Sequence, residues 1–294
     1  MSKLPKVFYI MGTARSGSTI LEILLSKGKG AFGPGELTSL IQDGFIENKE
    51  CSCGELCADC VIWRKVQEHL KLDKQELEEW AVLQKKVDWH AGFIKQLFHL
   101  LPEKEMEWYR ALNVRLLEAI RKAADCSVVL DSSKYAGRAL ALTRIVKADV
   151  KVICLTRSPA GLMASFQKSN RDEQRPKSTL AALLYYVVTL AALRLASLLL
   201  GRQQVYRLRY ESLIADPQGV LQSIAQWIRI DLDEPRQILR EHKSFNVGHL
   251  VTGNRLRKMG SVRFNPSRNG VVPGGFGTRL AVMLMNGWQW VLRF

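Results

Sequence analysis

The stretch Gly12-Thr13-Ala14-Arg15-Ser16-Gly17-Ser18-Thr19 decides how this chain folds. Before it runs a short apolar segment, Lys6 to Met11, which reads as a buried strand by length and composition. After it, Ile20, Leu21, Ile23, Leu24 and Leu25 fall on helical spacing within Ser18 to Lys27, and Gly28 stands as a stop. Strand, glycine loop and helix form the context in which a Gly-x-x-x-x-Gly spacing reads as an anion-binding loop. Backbone N–H groups in such a loop converge on one anion, and the helix N-terminus adds a favourable dipole. Ser18 follows the second glycine. The Lys that nucleoside-triphosphate hydrolases set on their β- and γ-phosphates is therefore missing. Arg15 supplies the cation from inside the loop, and Ser16, Ser18 and Thr19 supply hydroxyl donors.

Outward from the loop, strands and helices alternate. Ser127 to Leu130 reads as a strand ending at Asp131-Ser132-Ser133-Lys134, followed by a helix over Tyr135 to Val146. Val150 to Leu155 is a further strand, ending at Thr156-Arg157-Ser158-Pro159, with a helix from Ala160 to about Ser169. Val205 to Leu208 is a strand and Pro217 through Trp227 a helix. Such alternation implies an α/β fold, a parallel sheet flanked by helices, with ligands at the carboxyl ends of its strands. Residues 64–125 break the pattern with helical apolar spacing and several Trp, which predicts a helical insertion, either an acceptor-binding cap or a packing subdomain. Arg157 and Ser165, eight residues apart across a strand end and its helix, are placed to grip a second anion, since Arg forks well onto phosphate oxygens. Gly253-Asn254-Arg255-Leu256-Arg257-Lys258 adds a third cationic loop.

Composition narrows the function class. The 294 residues carry a formal net charge of +15, and no acidic residue follows Glu241. Such an excess suggests an anionic partner: nucleic acid, acidic lipid, or a phosphate- or sulfate-bearing ligand. The chain is too apolar for a disordered protein and has no collagen, coiled-coil or solenoid bias. No signal segment is read at the N-terminus, where the apolar run is too short, so a cytoplasmic protein with reduced thiols is expected. Leu180 to Leu200 is interrupted by Arg194 and reads as a buried or half-buried helix, and Leu280 to Phe294, with two Trp and flanking Arg, is placed to touch a membrane surface. Cys126 and Cys154 read as core thiols. Cys51, Cys53, Cys57 and Cys60 cluster within ten residues, and zinc, a disulfide and free thiols all remain open for them.

These elements together resemble the sulfotransferase family that uses 3′-phosphoadenosine 5′-phosphosulfate, most closely its bacterial-type branch. Thr13-Ala14-Arg15-Ser16-Gly17-Ser18-Thr19 resembles its 5′-phosphosulfate loop, and Leu155-Thr156-Arg157-Ser158-Pro159 with Ser165 its 3′-phosphate motif. Asp131-Ser132-Ser133-Lys134 is similar to a strand-end motif of the branch, and Arg209-Tyr210-Glu211-Ser212-Leu213 to its Tyr-Glu-x-Leu element. Gly253, Asn254 and Arg257 resemble its C-terminal cofactor loop. Cys51-Ser52-Cys53-Gly54, Cys60 and Trp63 also match the branch, whereas Cys57 does not. The matches span residues 7–258, and they imply one sulfotransferase domain over residues 1–294 with a helical insertion at about 64–125.

The resemblance implies sulfuryl transfer in line from the phosphosulfate to an acceptor hydroxyl or amine. Arg15 and the loop amides would stabilise the leaving phosphate oxygen, with no metal. Glu36 is the expected general base, ahead of His90 and His99, and a surface carboxylate is its plainer reading. Lys134 is expected at the sulfuryl group or acceptor, and Tyr210 near the adenine or in the core. The rivals are a P-loop nucleotide kinase or hydrolase, disfavoured by the missing Lys, and a basic nucleic-acid or membrane binder, which leaves three strand-end anion sites unexplained. Nucleic acid is accordingly not expected as a partner. Small-molecule, carbohydrate and lipid acceptors stay open, as does the oligomeric state.

Overall fold

The computed structural model describes residues 4–167, 177–253, 255–265 and 275–292. Its centre is strand β1 (Lys6–Gly12), followed by helix α1 (Ser18–Leu25) and the two-residue strand β2 (Ala31–Phe32). A short α2 (Leu37–Ser39) runs into a π-helical turn over Leu40–Ile46. Four helices come next: α3 (Val61–Leu70), α4 (Lys74–Asp88), α5 (His90–Leu97) and α6 (Glu103–Ala123). The chain then returns to the sheet with β3 (Val128–Lys134), α7 (Ala136–Arg144), β4 (Val150–Thr156) and α8 (Pro159–Gln167). The long α9 (Thr179–Leu200) leads to β5 (Val205–Arg209), α10 (Tyr210–Ala215), α11 (Pro217–Ile228) and α12 (Asp233–Arg240). A small antiparallel pair, β6 (Ser244–Asn246) with β7 (Ser261–Arg263), and α13 (Phe276–Val291) complete it.

The sheet is parallel, in the order β2-β3-β1-β4-β5. β1 lies between β3 and β4, and its alternate side chains enter two cores on opposite faces of the sheet, which explains its unbroken apolar run. Val7, Tyr9 and Met11 enter one core, and Phe8 and Ile10 the other. The α/β reading of the alternating segments therefore matches the structure. The helix expected from Ala160 runs Pro159–Gln167, and its predicted end at Ser169 lies outside the described residues.

Four strands depart from the sequence expectation. β3 continues through Asp131, Ser132 and Ser133 to Lys134, because those polar side chains are buried and bonded instead of ending the strand in solvent. β2, β6 and β7 have two or three residues each, too few for a period-two pattern to register.

A buried charge cluster joins the helices between β2 and β3 to the sheet. Arg138 of α7 is fully buried, pairing with Asp131 of β3 (2.6 Å) and Asp88 of α4 (3.0 Å). It also donates to the Tyr109 hydroxyl (3.2 Å) and the Asn113 side-chain amide oxygen Oδ1 (3.2 Å), both on α6. Tyr109 donates in turn to Asp88 (2.5 Å). Burial pushes the Asp88 carboxyl up to about 6 against the pull of Arg138. Removing one member strands the others, at about 3–5 kcal/mol for a broken buried pair. Arg138→Leu is thus expected to lower unfolding free energy by about that amount in urea titrations, with Asp131→Asn acting in the same direction.

Candidate functional site

One cavity of about 780 Å³ opens at the carboxyl ends of β1, β3, β4 and β5. Its size is that of a nucleotide-scale ligand site. Ala14, Arg15, Gly17, Ser18 and Thr19 line it from the first loop. Arg157 and Ser165 line it from the end of β4 and from α8, and Glu36, Lys134 and Tyr210 from three other segments. Gly253 and Arg257 belong to the same wall, as do Lys177 and Arg263. Thr13 and Ser16 sit just beneath, fully buried, and Asn254 lies outside the described residues. His90 reaches the rim, whereas His99 is exposed and absent from the lining.

The loop has the backbone its sequence requires. Arg15 (φ 64°) and Gly17 (φ 91°) adopt left-handed conformations. A Cβ at Gly17 would come within 2.5 Å of the Tyr210 ring, so that ring packs directly on the loop. At Gly12 the carbonyl of Leu155 would be 2.3 Å from a Cβ, which lets β1 and β4 close up at the mouth. Gly17 caps α1 with no side-chain hydrogen bond, leaving the first-turn N–H groups without a side-chain acceptor.

Arg157 lies over the Tyr210 ring at 4.6 Å and donates to the carbonyl of Arg15 (3.0 Å), so the two arginines flank one space. Gly161 makes room for this: a Cβ there would stand 2.8 Å from Arg157 Nε. The Nε atoms of Arg15 and Arg157 and the hydroxyls of Thr13 and Ser16 are all buried without a partner. Buried donors without partners are costly in a finished core and expected around a ligand site. Five cations besides Lys134 line the cavity with a single carboxylate, Glu36, and Lys134 pairs with that carboxylate. What remains is positive, uncapped and rich in forked donors, the chemistry of a site for a doubly anionic ligand.

The Glu36–Lys134 pair is short, and only about a fifth of either side chain is exposed. Two devices hold it. Lys134 ends β3 in the left-handed region (φ 74°), where the β1–β3 register shifts between Tyr9 and Met11. The Glu36 backbone is clamped by Thr252, whose hydroxyl accepts from its N–H (3.0 Å) and donates to its carbonyl (2.9 Å). Gly35 (φ 90°) fits against the Thr252 carbonyl, where a Cβ would be at 2.7 Å.

The next layer was missed in the sequence reading. Glu22 on α1 is fully buried, accepting from Gly35 N–H (2.6 Å) and from the Ser132 hydroxyl (2.5 Å). Tyr185 on α9 accepts from the Ala14 amide (2.7 Å), fixing the phosphate-type loop from above. Both lie in runs that read as plain apolar helices. An acid among Ile20, Leu21, Ile23 and Leu24 was the one available signal for Glu22.

The model of the sulfotransferase family matches residues 5–234. The chain belongs to the sulfotransferase family. Its fold is that of sulfotransferase domains solved from the curacin biosynthetic pathway (20% identity, TM-score 0.50, 97% of this chain and 99% of that one) and from the Synechococcus PCC 7002 olefin synthase (19%, 0.50, 97% and 96%). No curated protein matches the chain. Membership makes this sulfotransferase a transferase of sulfuryl groups.

Burial pushes the Glu22 carboxyl up to about 8 from its ordinary 4.5, overcoming the Ser132 and Gly35 hydrogen bonds. The folded state then holds a proton there that the unfolded chain has released. That contribution is full below about pH 4.5 and is lost as pH rises through about 8, at up to about 1.4 kcal/mol per pH unit. Glu22→Gln keeps the size and an acceptor but cannot ionise. Urea unfolding of this variant between about pH 5 and 8 is expected to lose that part of the decline seen in the native enzyme.

Proposed function

We propose that this sulfotransferase takes its sulfuryl group from 3′-phosphoadenosine 5′-phosphosulfate and passes it to a hydroxyl or amine of an acceptor. When bound, the donor supplies an activated sulfuryl group, leaving as adenosine 3′,5′-bisphosphate. The observation that carries this reading is the arginine pair. Arg15 and Arg157 flank one space with buried, unpartnered Nε atoms, which supports two anionic groups held at once.

Each wall has a task. Arg15 and the uncapped N–H groups of α1 face the charge that grows on the leaving phosphate oxygen. Arg157 and Ser165 hold the 3′-phosphate, with Tyr210 beneath the guanidinium. Glu36 takes the acceptor proton as the new S–O bond forms and the bond to phosphate breaks. Lys134 orients that carboxylate and brings a cation beside the transferred group. A nucleotide kinase or hydrolase would need a free carboxylate on the strand beside the loop for Mg²⁺, but Asp131, within β3, is committed to Arg138.

Adenosine 3′,5′-bisphosphate should bind without metal, and Arg15→Ala or Arg157→Ala should weaken it at least about tenfold by calorimetry. Glu36→Gln should retain that binding and lose activity by roughly a hundredfold with labelled donor. Unchanged binding in both arginine variants, or a thermal shift by ATP that requires Mg²⁺, would sink the assignment.

We propose that the membrane contact expected of the C-terminal segment extends to α9. α13 packs alongside α9, with Trp288 Nε1 donating to the Val187 carbonyl (3.1 Å) and Thr278 meeting Thr179 (3.3 Å). On α9, Leu180, Leu184, Val188 and Leu198 are exposed, and on α13 so are Phe276, Met283 and Trp290. By length and composition alone α9 is long and apolar enough to cross a membrane, yet Tyr186, Leu190, Leu193 and Ala196 are buried in the core. A helix with one apolar face buried and the other exposed suits lying on a bilayer. Neither helix carries an acid, and Arg279 lies on α13, so we propose an anionic lipid surface as the partner. The native enzyme is expected to sediment with phosphatidylglycerol vesicles, and Val188→Glu with Met283→Glu to stay in the supernatant.

A further inference from the structure

The cysteine-rich loop takes no part in the cavity, and its sequence left three states open. Among the described residues all six cysteines are free, so no disulfide closes the loop. Cys57 does not join its neighbours: it is buried against Gly44, and its place is taken by a residue from far along the chain. The ligand atoms of Cys51, Cys53, Cys60 and His249 all lie within 4.8 Å of one another. Nδ1 of His249 stands 3.3 Å from Cys60 Sγ and 4.0 Å from Cys51 Sγ.

We propose that Cys51, Cys53, Cys60 and His249 form a structural Zn²⁺ site of three thiolates and one imidazole. Zinc–sulfur and zinc–nitrogen bonds of about 2.3 and 2.0 Å put the donors of a tetrahedral site roughly 3.5–3.8 Å apart. The four donors are within a small adjustment of that spacing. Three sulfurs and an imidazole suit zinc over the harder oxygen-seeking cations. Four protein ligands complete the tetrahedron, so the site is closed and holds structure instead of binding substrate.

The surroundings are those of a built site. Cys60 is the N-cap of α3, so it stands at the helix end whose first-turn N–H groups and dipole suit an anionic centre. The Trp63 indole N–H donates to the His249 carbonyl (2.9 Å), fixing the backbone that presents the imidazole. Ser52 bonds three times across the same seam: its N–H to the Leu250 carbonyl (2.8 Å), its hydroxyl to the Gly248 carbonyl (2.7 Å), and the Leu250 N–H to its hydroxyl (2.7 Å). Gly54 (φ 94°) closes the turn after Cys53, with its N–H on the Cys51 carbonyl (2.9 Å). Cys51 and Cys60 are buried, which keeps water from the ion, and Cys53 sits at the exposed edge.

The ion ties together segments 189 residues apart. Three residues past His249 stands Thr252, the clamp on Glu36, and then Gly253 of the cavity wall. Arg257 also reaches back to the Glu50 carbonyl (2.9 Å). Zinc thus fastens the frame that carries the carboxylate at the cavity, without touching the cavity itself. This assignment stands whether or not the donor proposed above is correct.

Metal content of the full chain decides it. After growth with zinc and dialysis into metal-free buffer, the native protein should hold about one zinc per chain by mass spectrometry. Cys53→Ser, at an exposed position, and His249→Gln should each reduce that content at least about fivefold, while Cys57→Ala keeps it. Where a variant fails to accumulate, cobalt exchanged into the native chain is read instead. Thiolate-to-cobalt charge-transfer bands with strong tetrahedral d–d absorption support the site, and an octahedral cobalt spectrum overturns it. A native chain purified without zinc, a disulfide among Cys51, Cys53 and Cys60, or equal loss of metal from Cys57→Ala and Cys53→Ser also overturns it.

Discussion

Arg138 is buried between two aspartates, and much of the site depends on that contact. A guanidinium in a dry interior survives only when its charge and donors are matched. Asp131 and Asp88 match the charge, while Tyr109 and Asn113 offer further acceptors to Nη1. Asp131 then has a second task, accepting from Ser133 N–H (3.0 Å) and Leu37 N–H (3.4 Å). Those residues flank Lys134 and Glu36. One buried cluster therefore docks α4 and α6 on the sheet and sets the frame for the ion pair that faces the cavity.

The cavity works by the opposite rule. Around Arg138 the Nε and Nη1 donors meet buried acceptors; the Nε donors of Arg15 and Arg157 do not. The protein holds these donors fixed by packing Tyr210 on Gly17, Tyr185 on Ala14 and Arg157 on Tyr210. Preorganised donors cost no rearrangement when an anion arrives, which is why such walls serve both binding and charge stabilisation. α9 contributes to two surfaces at once: Tyr185, Thr189 and Leu193 to the cavity, and Leu184 and Val188 to the outside. Its nearly uniform apolar sequence reflects that double duty.

Much of the architecture was legible along the chain, because it rests on local patterns. β1, α1, β4 and the helix from Pro217 follow from runs of apolar residues and their punctuation by Gly and Pro. The loop was legible for the same reason, since glycines at fixed spacing report backbone geometry. Helices between Val61 and Ala123 were visible from their periodicity, though what attaches them to the sheet was not. Arg138 looked like one more charge on a helix, and Glu22 like an interruption. Their importance lies in partners 110 residues away for Glu22 and 50 for Arg138.

The sequence by itself determined the order of strands and helices, the glycine-bounded geometry of the first loop and the chain's likeness to the sulfotransferases. All of these are written in neighbouring residues. Only the tertiary structure decided which distant side chains meet. It placed Lys134 on Glu36, Thr252 on the Glu36 backbone, and Tyr185 over the loop. It also set His249 beside Cys60 while turning Cys57 into the core. The reason is physical. Backbone geometry is governed by the nearest residues, whereas a buried charge or a thiol is satisfied by whatever the packed fold brings within about 3–4 Å of it.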